Sequence, residues 1–272
     1  GGEIDFQVAS LAKGDDPAFG IIKTLVAEYT VDGEPHKISG QDPDTINLVA
    51  SQAATDRVAE IRCGQNGKLR IEARAPGCYD LKTASGKALR VEITNVPAPL
   101  EITGAWQVSF PPKWGAPDHI VLNSLASWSD STNDGVKYFS GTATYTKTFD
   151  WNPGPPTGNV GRKIILDLGD VAAMAQVKLN GHDLGILWRS PFRVAATSAL
   201  RPGKNTLEIR VANLWPNRMI GDAALPVAKR FTWSSYEPFT KDMPLLKSGL
   251  LGPVHLITWE VSDAVKVSKT AS

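Results

Sequence analysis

The sequence predicts an all-β fold, a β-sandwich preceded by a smaller β domain, and three observations carry that prediction. Apolar and polar residues alternate with period two wherever the chain is regular, helical periodicity hardly lasts two turns, and the alternating runs end in glycine-containing turn signals. Successive side chains of a strand point to opposite faces, so such runs bury one face and solvate the other.

The elements follow in order. Leu25 to Val31 runs into the turn Asp32-Gly33, and Leu69 to Ala73, Tyr79 to Leu81 and Leu89 to Ile93 read as a meander with a turn near Ser85-Gly86. Two prolines interrupt the alternation at Val96-Pro97-Ala98-Pro99, and Glu101 to Phe110 opens a new strand. The boundary is placed there. Residues 1–98 make up the smaller sandwich or meander domain, starting partway into a module, and residues 99–272 the larger sandwich.

In the larger domain Thr142, Thr144, Thr146 and Thr148 share one strand face, and Ala143, Tyr145, Lys147 and Phe149 the other. The stretch Asn152 to Gly161, rich in Pro and Gly, reads as a loop between strong strands. Ala175 to Leu179 runs into Asn180-Gly181, the dipeptide suited to a type I′ hairpin, and Leu184 and Ile186 begin the return strand. After the turn signal Arg201-Pro202-Gly203, Leu207, Ile209 and Val211 alternate with Glu208 and Arg210, and Val254 to Trp259 closes the fold.

Composition narrows the partners. The 272 residues carry 29 basic and 28 acidic side chains, a formal charge of +1, with no dense basic run. That argues against nucleic acid or an anionic membrane surface and favours a neutral ligand. No stretch approaches the roughly 18 consecutive apolar residues of a membrane-spanning helix, and Gly1-Gly2-Glu3-Ile4 does not resemble a signal peptide. Cys63 and Cys78 each lie close to a predicted strand, and antiparallel pairing of those strands brings them within disulfide reach, which fits a secreted or periplasmic home. Two buried reduced thiols are the alternative.

Standard catalytic signatures are missing, and the four histidines, His36, His119, His182 and His255, lack metal-ligand spacing. Asp118, Asp130, Asp134, Glu237 and Asp242 fall in predicted loops, where carboxylates are usually solvated rather than paired for glycoside hydrolysis. The informative residue is tryptophan. Of eight, Trp114, Trp128, Trp188, Trp215 and Trp233 fall in or beside loops. Aromatic rings pack against the apolar faces of sugar rings while polar neighbours pair with hydroxyls. Trp128, Trp188-Arg189, Trp215 with Asn217 and Arg218, and Trp233 with Tyr236 are therefore the candidate ligand-binding residues; the alternative is that the indoles plug the ends of the sandwich.

A family resemblance adds to this reading. Tyr138-Phe-Ser-Gly-Thr-Ala-Thr-Tyr145, Leu168-Gly-Asp-Val171, Val177-Lys-Leu-Asn-Gly181, Leu184-Gly185, Pro191-Phe192 and Leu200-Arg-Pro-Gly-Lys-Asn-Thr-Leu207 carry it. In order and spacing they resemble the sugar-binding jelly-roll domain of glycoside hydrolase family 2, over roughly residues 101 to 261. Asn213 to Asp222 and Ser248 to Pro253 are similar to the carboxyl-terminal end of bacterial α-L-rhamnosidases of the family 106 type. The resemblance implies a galactose-binding-like jelly roll beside a catalytic barrel that holds the catalytic carboxylates, so no catalytic residue carries over and no cofactor is required. Jelly rolls of this group often hold a structural calcium, for which Asp167, Asp170 and Asp222 are the carboxylates on offer. Asp15 to Gly33 resembles small β modules of large secreted bacterial proteins.

Three readings of function follow. The first is a non-catalytic carbohydrate-binding accessory module that takes polysaccharide or oligosaccharide and keeps a catalytic glycoside hydrolase domain near its substrate. The second is a structural buttress of the barrel that binds no sugar, and the third a self-standing glycosidase or lyase.

Overall fold

The computed structural model describes residues 58–266 apart from 64–67, 84–85, 157 and 159, and the strand segments 5–7, 24–31, 34–41 and 45–47. The chain divides into two compact units, Gly1–Arg57 and Val58–Ser272. In the first, β1 (Asp5–Gln7) pairs with β4 (Thr45–Asn47), and β2 (Thr24–Val31) with β3 (Glu34–Gln41), all antiparallel. Most of the segment 15–33 that resembles a small β module lies outside the described residues.

The second unit is an all-β sandwich. Its first sheet has the order β11 (His119–Leu122), β10 (Trp106–Ser109), β12 (Thr142–Trp151), β18 (Gly203–Ala212), β15 (Met174–Leu179), β16 (His182–Leu187). The second runs β17 (Arg193–Ala195), β13 (Gly161–Asp167), β20 (His255–Asp263), β6 (Leu69–Ala73), β5 (Ala59–Cys63), with β9 (Leu100–Glu101) pairing the start of β20. Smaller sheets join β14 (Asp170–Ala172) to β19 (Gly249–Gly252), and β7 (Gly77–Lys82) to β8 (Ala88–Ile93) and β21 (Val265–Lys266).

The alternation expected along 142–149 is present: Ala143 and Tyr145 are buried while Thr142 and Thr148 face solvent. Asn180 and Gly181 turn β15 into β16 with φ angles of 51° and 82°, as a type I′ hairpin needs. The meander expected over 69–93 does not form. Strand β6 pairs with β5 and with the far end of β20, whereas β7 pairs with β8 across the turn at Thr83–Lys87. The reason is the length of β20, nine residues: its last four, on the edge opposite β13 and beyond the two residues that β9 takes, are open to β6. Ion pairs reinforce this register, Arg70 with Asp263 at 2.8 Å and Lys163 with Glu72 at 2.6 Å. The hairpin 59–73 is thus part of the second sheet, and the proline stretch 96–99 lies inside the second unit.

That topology also separates the cysteines. Cys63 sits on β5 and Cys78 on β7, in different sheets, so the expected disulfide does not form, and both thiols are exposed rather than buried.

Between the two main sheets lies an aromatic core. Trp128 stacks on Tyr145 with ring centroids 6.0 Å apart and an interplanar angle of 10°, and Phe110 and Phe139 meet Trp128 edge-on at 5.6 and 5.4 Å. Trp128 is 1% exposed. It is a core residue, not a ligand contact, because the 3₁₀ turn Trp128–Asp130, capped by Ser127, folds the indole inward. Strand β19 crosses this cluster at Gly249, where φ is 88° and an added Cβ would lie 2.5 Å from the Tyr145 hydroxyl and 2.7 Å from Trp128 Cε2. Next to it, the Leu250 N–H donates to the Tyr145 hydroxyl at 3.0 Å.

Two predictions come from this contact. Gly249→Ala combines a disfavoured φ with a steric clash and should lower unfolding free energy in urea by about 2–4 kcal/mol. Burial raises the Tyr145 phenol above its ordinary value. The neutral phenol is therefore the form the fold holds, and its contribution is intact below the unfolded value of about 10 and lost as pH rises past it. The urea midpoint should fall above that pH, and less steeply in Tyr145→Phe, which at neutral pH should lose about 1–3 kcal/mol because Leu250 keeps a buried donor without its acceptor.

Candidate functional site

Trp215, which the sequence places in or beside a loop, opens a helix, α2 (Pro216–Ala223), with Pro216 at its first position, where the missing N–H is not needed. A single turn, α1 (Asp134–Lys137), lies near it, capped by Asn133, whose side-chain oxygen accepts from the Val136 N–H at 3.3 Å. The helix turns its polar residues inward. Asn217 donates to the Leu246 carbonyl at 2.7 Å and accepts from the Leu246 N–H at 2.8 Å, holding the returning chain as a strand partner would. Arg218 and Asp222, one helical turn apart, form an ion pair at 3.0 Å.

Asp222 is a fastener. Its Oδ2 accepts from the N–H of Phe231 at 3.1 Å, the N–H of Thr232 at 2.8 Å and the Thr232 hydroxyl at 2.6 Å. Arg218 is 3% exposed, with its guanidinium 4.7 Å from the Phe231 ring centroid and 5.8 Å from that of Tyr138. Its Nε has no hydrogen-bond partner. Burial lowers the Arg218 guanidinium from its ordinary value, opposed by the charges of Asp222, Tyr138 and Asp134. Asn217 and Arg218 are therefore not the outward-facing hydrogen-bonding groups expected from sequence: the helix places both under the surface.

The remaining aromatic candidates are outside. Trp188 is 68% exposed, Trp215 57%, Trp233 87% and Tyr236 75%. Trp233 and Tyr236 stand on the loop that Asp222 fastens, and Trp215, which opens α2, meets Trp114 edge-on at 6.2 Å. Trp188 follows edge strand β16, with the exposed Arg189 stacked 5.6 Å from its ring centroid, and leaves the first sheet at the end from which the chain enters α2, since Leu187 and Val211 both pair with Ala175. The structure thus gathers Trp215, Asn217, Arg218, Trp233 and Tyr236 around one helix.

A cleft of about 230 Å³ opens beside the helix, lined by Asp134, Tyr138, Arg218, Phe231 and short residues between them. Tyr138 and Phe231 were not candidates from sequence. Tyr138 sits just past a one-turn helix too short to show a period, and Phe231 is placed only by its N–H bond to Asp222.

The loop carboxylates Asp118, Asp130, Asp134, Glu237 and Asp242 are all exposed, and Glu237 pairs with Arg230 at 2.6 Å. The three carboxylates offered for calcium have the following partners and surroundings. Asp167 accepts from Arg193 at 2.7 Å and from the Gly169 N–H at 3.0 Å, Asp170 is an exposed residue of β14, and Asp222 is committed as above. Among the described residues no three His, Cys, Asp or Glu side chains group so as to hold a metal ion.

No family model matches. A protein of Formosa agariphila, provisionally named a β-glucuronidase, is 34% identical over 256 residues, covering 86% of this chain. The structure of a rhamnosidase from Novosphingobium sp. PP1Y shares 33% identity and superposes with a TM-score of 0.55 over 71% of this chain. Over that stretch the chain is similar to both proteins. It spans 21% of the length of each of these two proteins.

The fastening role of Asp222 is testable. Asp222→Ala leaves Arg218 buried without its counter-charge and should cost about 3–5 kcal/mol in urea unfolding; Asp222→Asn, whose amide oxygen still accepts from the 231–232 backbone, should cost less.

Proposed function

We propose that this domain is a non-catalytic accessory part of a glycoside hydrolase and that it binds polysaccharide through the exposed aromatic residues around α2. The observation that carries the reading is that Trp233 and Tyr236 are the most solvent-exposed of the candidate rings and yet stand on a loop held by three hydrogen bonds to one buried carboxylate. A loop kept in place before a ligand arrives loses little freedom on binding, and an indole face suits the C–H face of a sugar. Both matched proteins are named for sugar-cleaving activities, which supports a sugar as the ligand.

The buttress reading is favoured by a different observation. Leu214, Val227, Met243 and Leu246 are also exposed in this segment, and aliphatic surface of that kind suits a protein partner better than a glycan. Such a partner would be the catalytic domain of a longer chain.

Affinity electrophoresis in gels containing pectic, arabinogalactan, xylan or cellulosic polysaccharide separates the two. Retardation by at least one glycan, with a shift in tryptophan fluorescence, is expected. Trp233→Ala and Tyr236→Ala should each weaken it by about tenfold, equivalent to about 1.4 kcal/mol, without moving the urea midpoint. If no glycan retards the domain, sugar binding is ruled out and the buttress reading takes its place.

A further inference from the structure

The cleft between α1 and α2 has two aromatic walls and a guanidinium at its base, and three glycines make room for it. A Cβ on Gly135 would lie 2.0 Å from the Gly115 carbonyl oxygen, one on Gly115 2.9 Å from Phe231 Cζ, and one on Gly221 2.6 Å from Tyr138 Cγ. No larger residue fits at these positions without moving the backbone or the rings that shape the cleft. Arg218 lines the cleft, and its buried Nε–H has no acceptor.

We infer that the cleft is a subsite for a single neutral pyranose ring, the terminal residue of a glycan; this rests on the carbohydrate-binding reading above. At about 230 Å³ the cleft is smaller than the roughly 300–1,000 Å³ that encloses a drug-sized ligand, so it accepts one ring and not a run of them. Tyr138 and Phe231 present ring surface to the sugar's C–H groups, and the exposed Asp134 carboxylate accepts from a hydroxyl. Charge selects against a uronic acid. Arg218 is the only cation among the lining residues and is already paired with Asp222, so a sugar carboxylate would enter facing Asp134 with no unpaired positive partner.

Isothermal titration of the whole chain with D-galactose, D-glucose, L-rhamnose and D-glucuronate tests this, alongside the polysaccharide gels. At least one neutral sugar should bind saturably and D-glucuronate about tenfold more weakly or not at all. Asp134→Asn, at an exposed position, should narrow that gap, and Phe231→Ala should abolish neutral-sugar binding while the urea midpoint shows the variant folded. Glucuronate binding more tightly than every neutral sugar overturns the assignment. So does retardation by polysaccharide without binding of any monosaccharide, which leaves the carbohydrate reading standing; absence of both removes that reading as well.

Discussion

Trp128 and Tyr145 stack in the core only because the chain crossing them at Gly249 has no side chain there. That close approach fixes where β19 runs, and much of the remaining structure is hung from it. The Ser248 carbonyl accepts from the Trp128 N–H at 3.0 Å and the Ser248 N–H donates to the Ser127 hydroxyl at 2.9 Å, so the 3₁₀ turn and the returning strand hold each other. Phe139, packed edge-on against Trp128, anchors the chain just after α1, and its carbonyl accepts from Asn213 at 3.1 Å. Through Asn213, and through the Ser140 hydroxyl bonded to the Leu214 carbonyl at 2.6 Å, the core sets the entry to α2.

From there the candidate site is organised by polarity inverted with respect to the usual helix. The side facing the protein carries Asn217, Arg218 and Asp222, while the loops they hold carry Trp233, Tyr236 and Leu246 into solvent. Such an arrangement is stable only when the buried groups are matched, and most are: Asn217 closes a two-bond ring with Leu246, and Asp222 meets three donors and one guanidinium. Arg218 Nε and Asp222 Oδ1 have no hydrogen bond of their own, although the two side chains are paired as ions.

A similar logic holds the far end of the second sheet. Glu260 is fully buried on β20, paired with Arg162 and accepting from the Gly158 N–H at 3.1 Å, while Arg162 donates to the carbonyls of Pro153, Gly154 and Pro155. The carbonyls of the proline-rich stretch 153–155 are thus satisfied by one arginine rather than by a strand partner.

The sequence by itself determined the strand content, the period-two faces of β12, β15 and β18, and the Asn180-Gly181 hairpin, because alternation and turn chemistry are local properties that survive in any surroundings. It also marked the aromatic residues worth examining. Tertiary structure decided the rest. Whether an indole is core or surface depends on what crosses it: Gly249 puts Trp128 inside, and nothing covers Trp233. Whether β6 continues a meander or joins the sandwich depended on the free end of a strand nearly 190 residues further along the chain. The helix α2 could have been read from Pro216 at its start and the four-residue spacing of Arg218 and Asp222, but at eight residues it offers barely two turns of pattern. That it faces inward with its charges, and so builds a cleft with Tyr138 and Phe231 from three separate stretches of chain, is a consequence of long-range packing that no local pattern encodes.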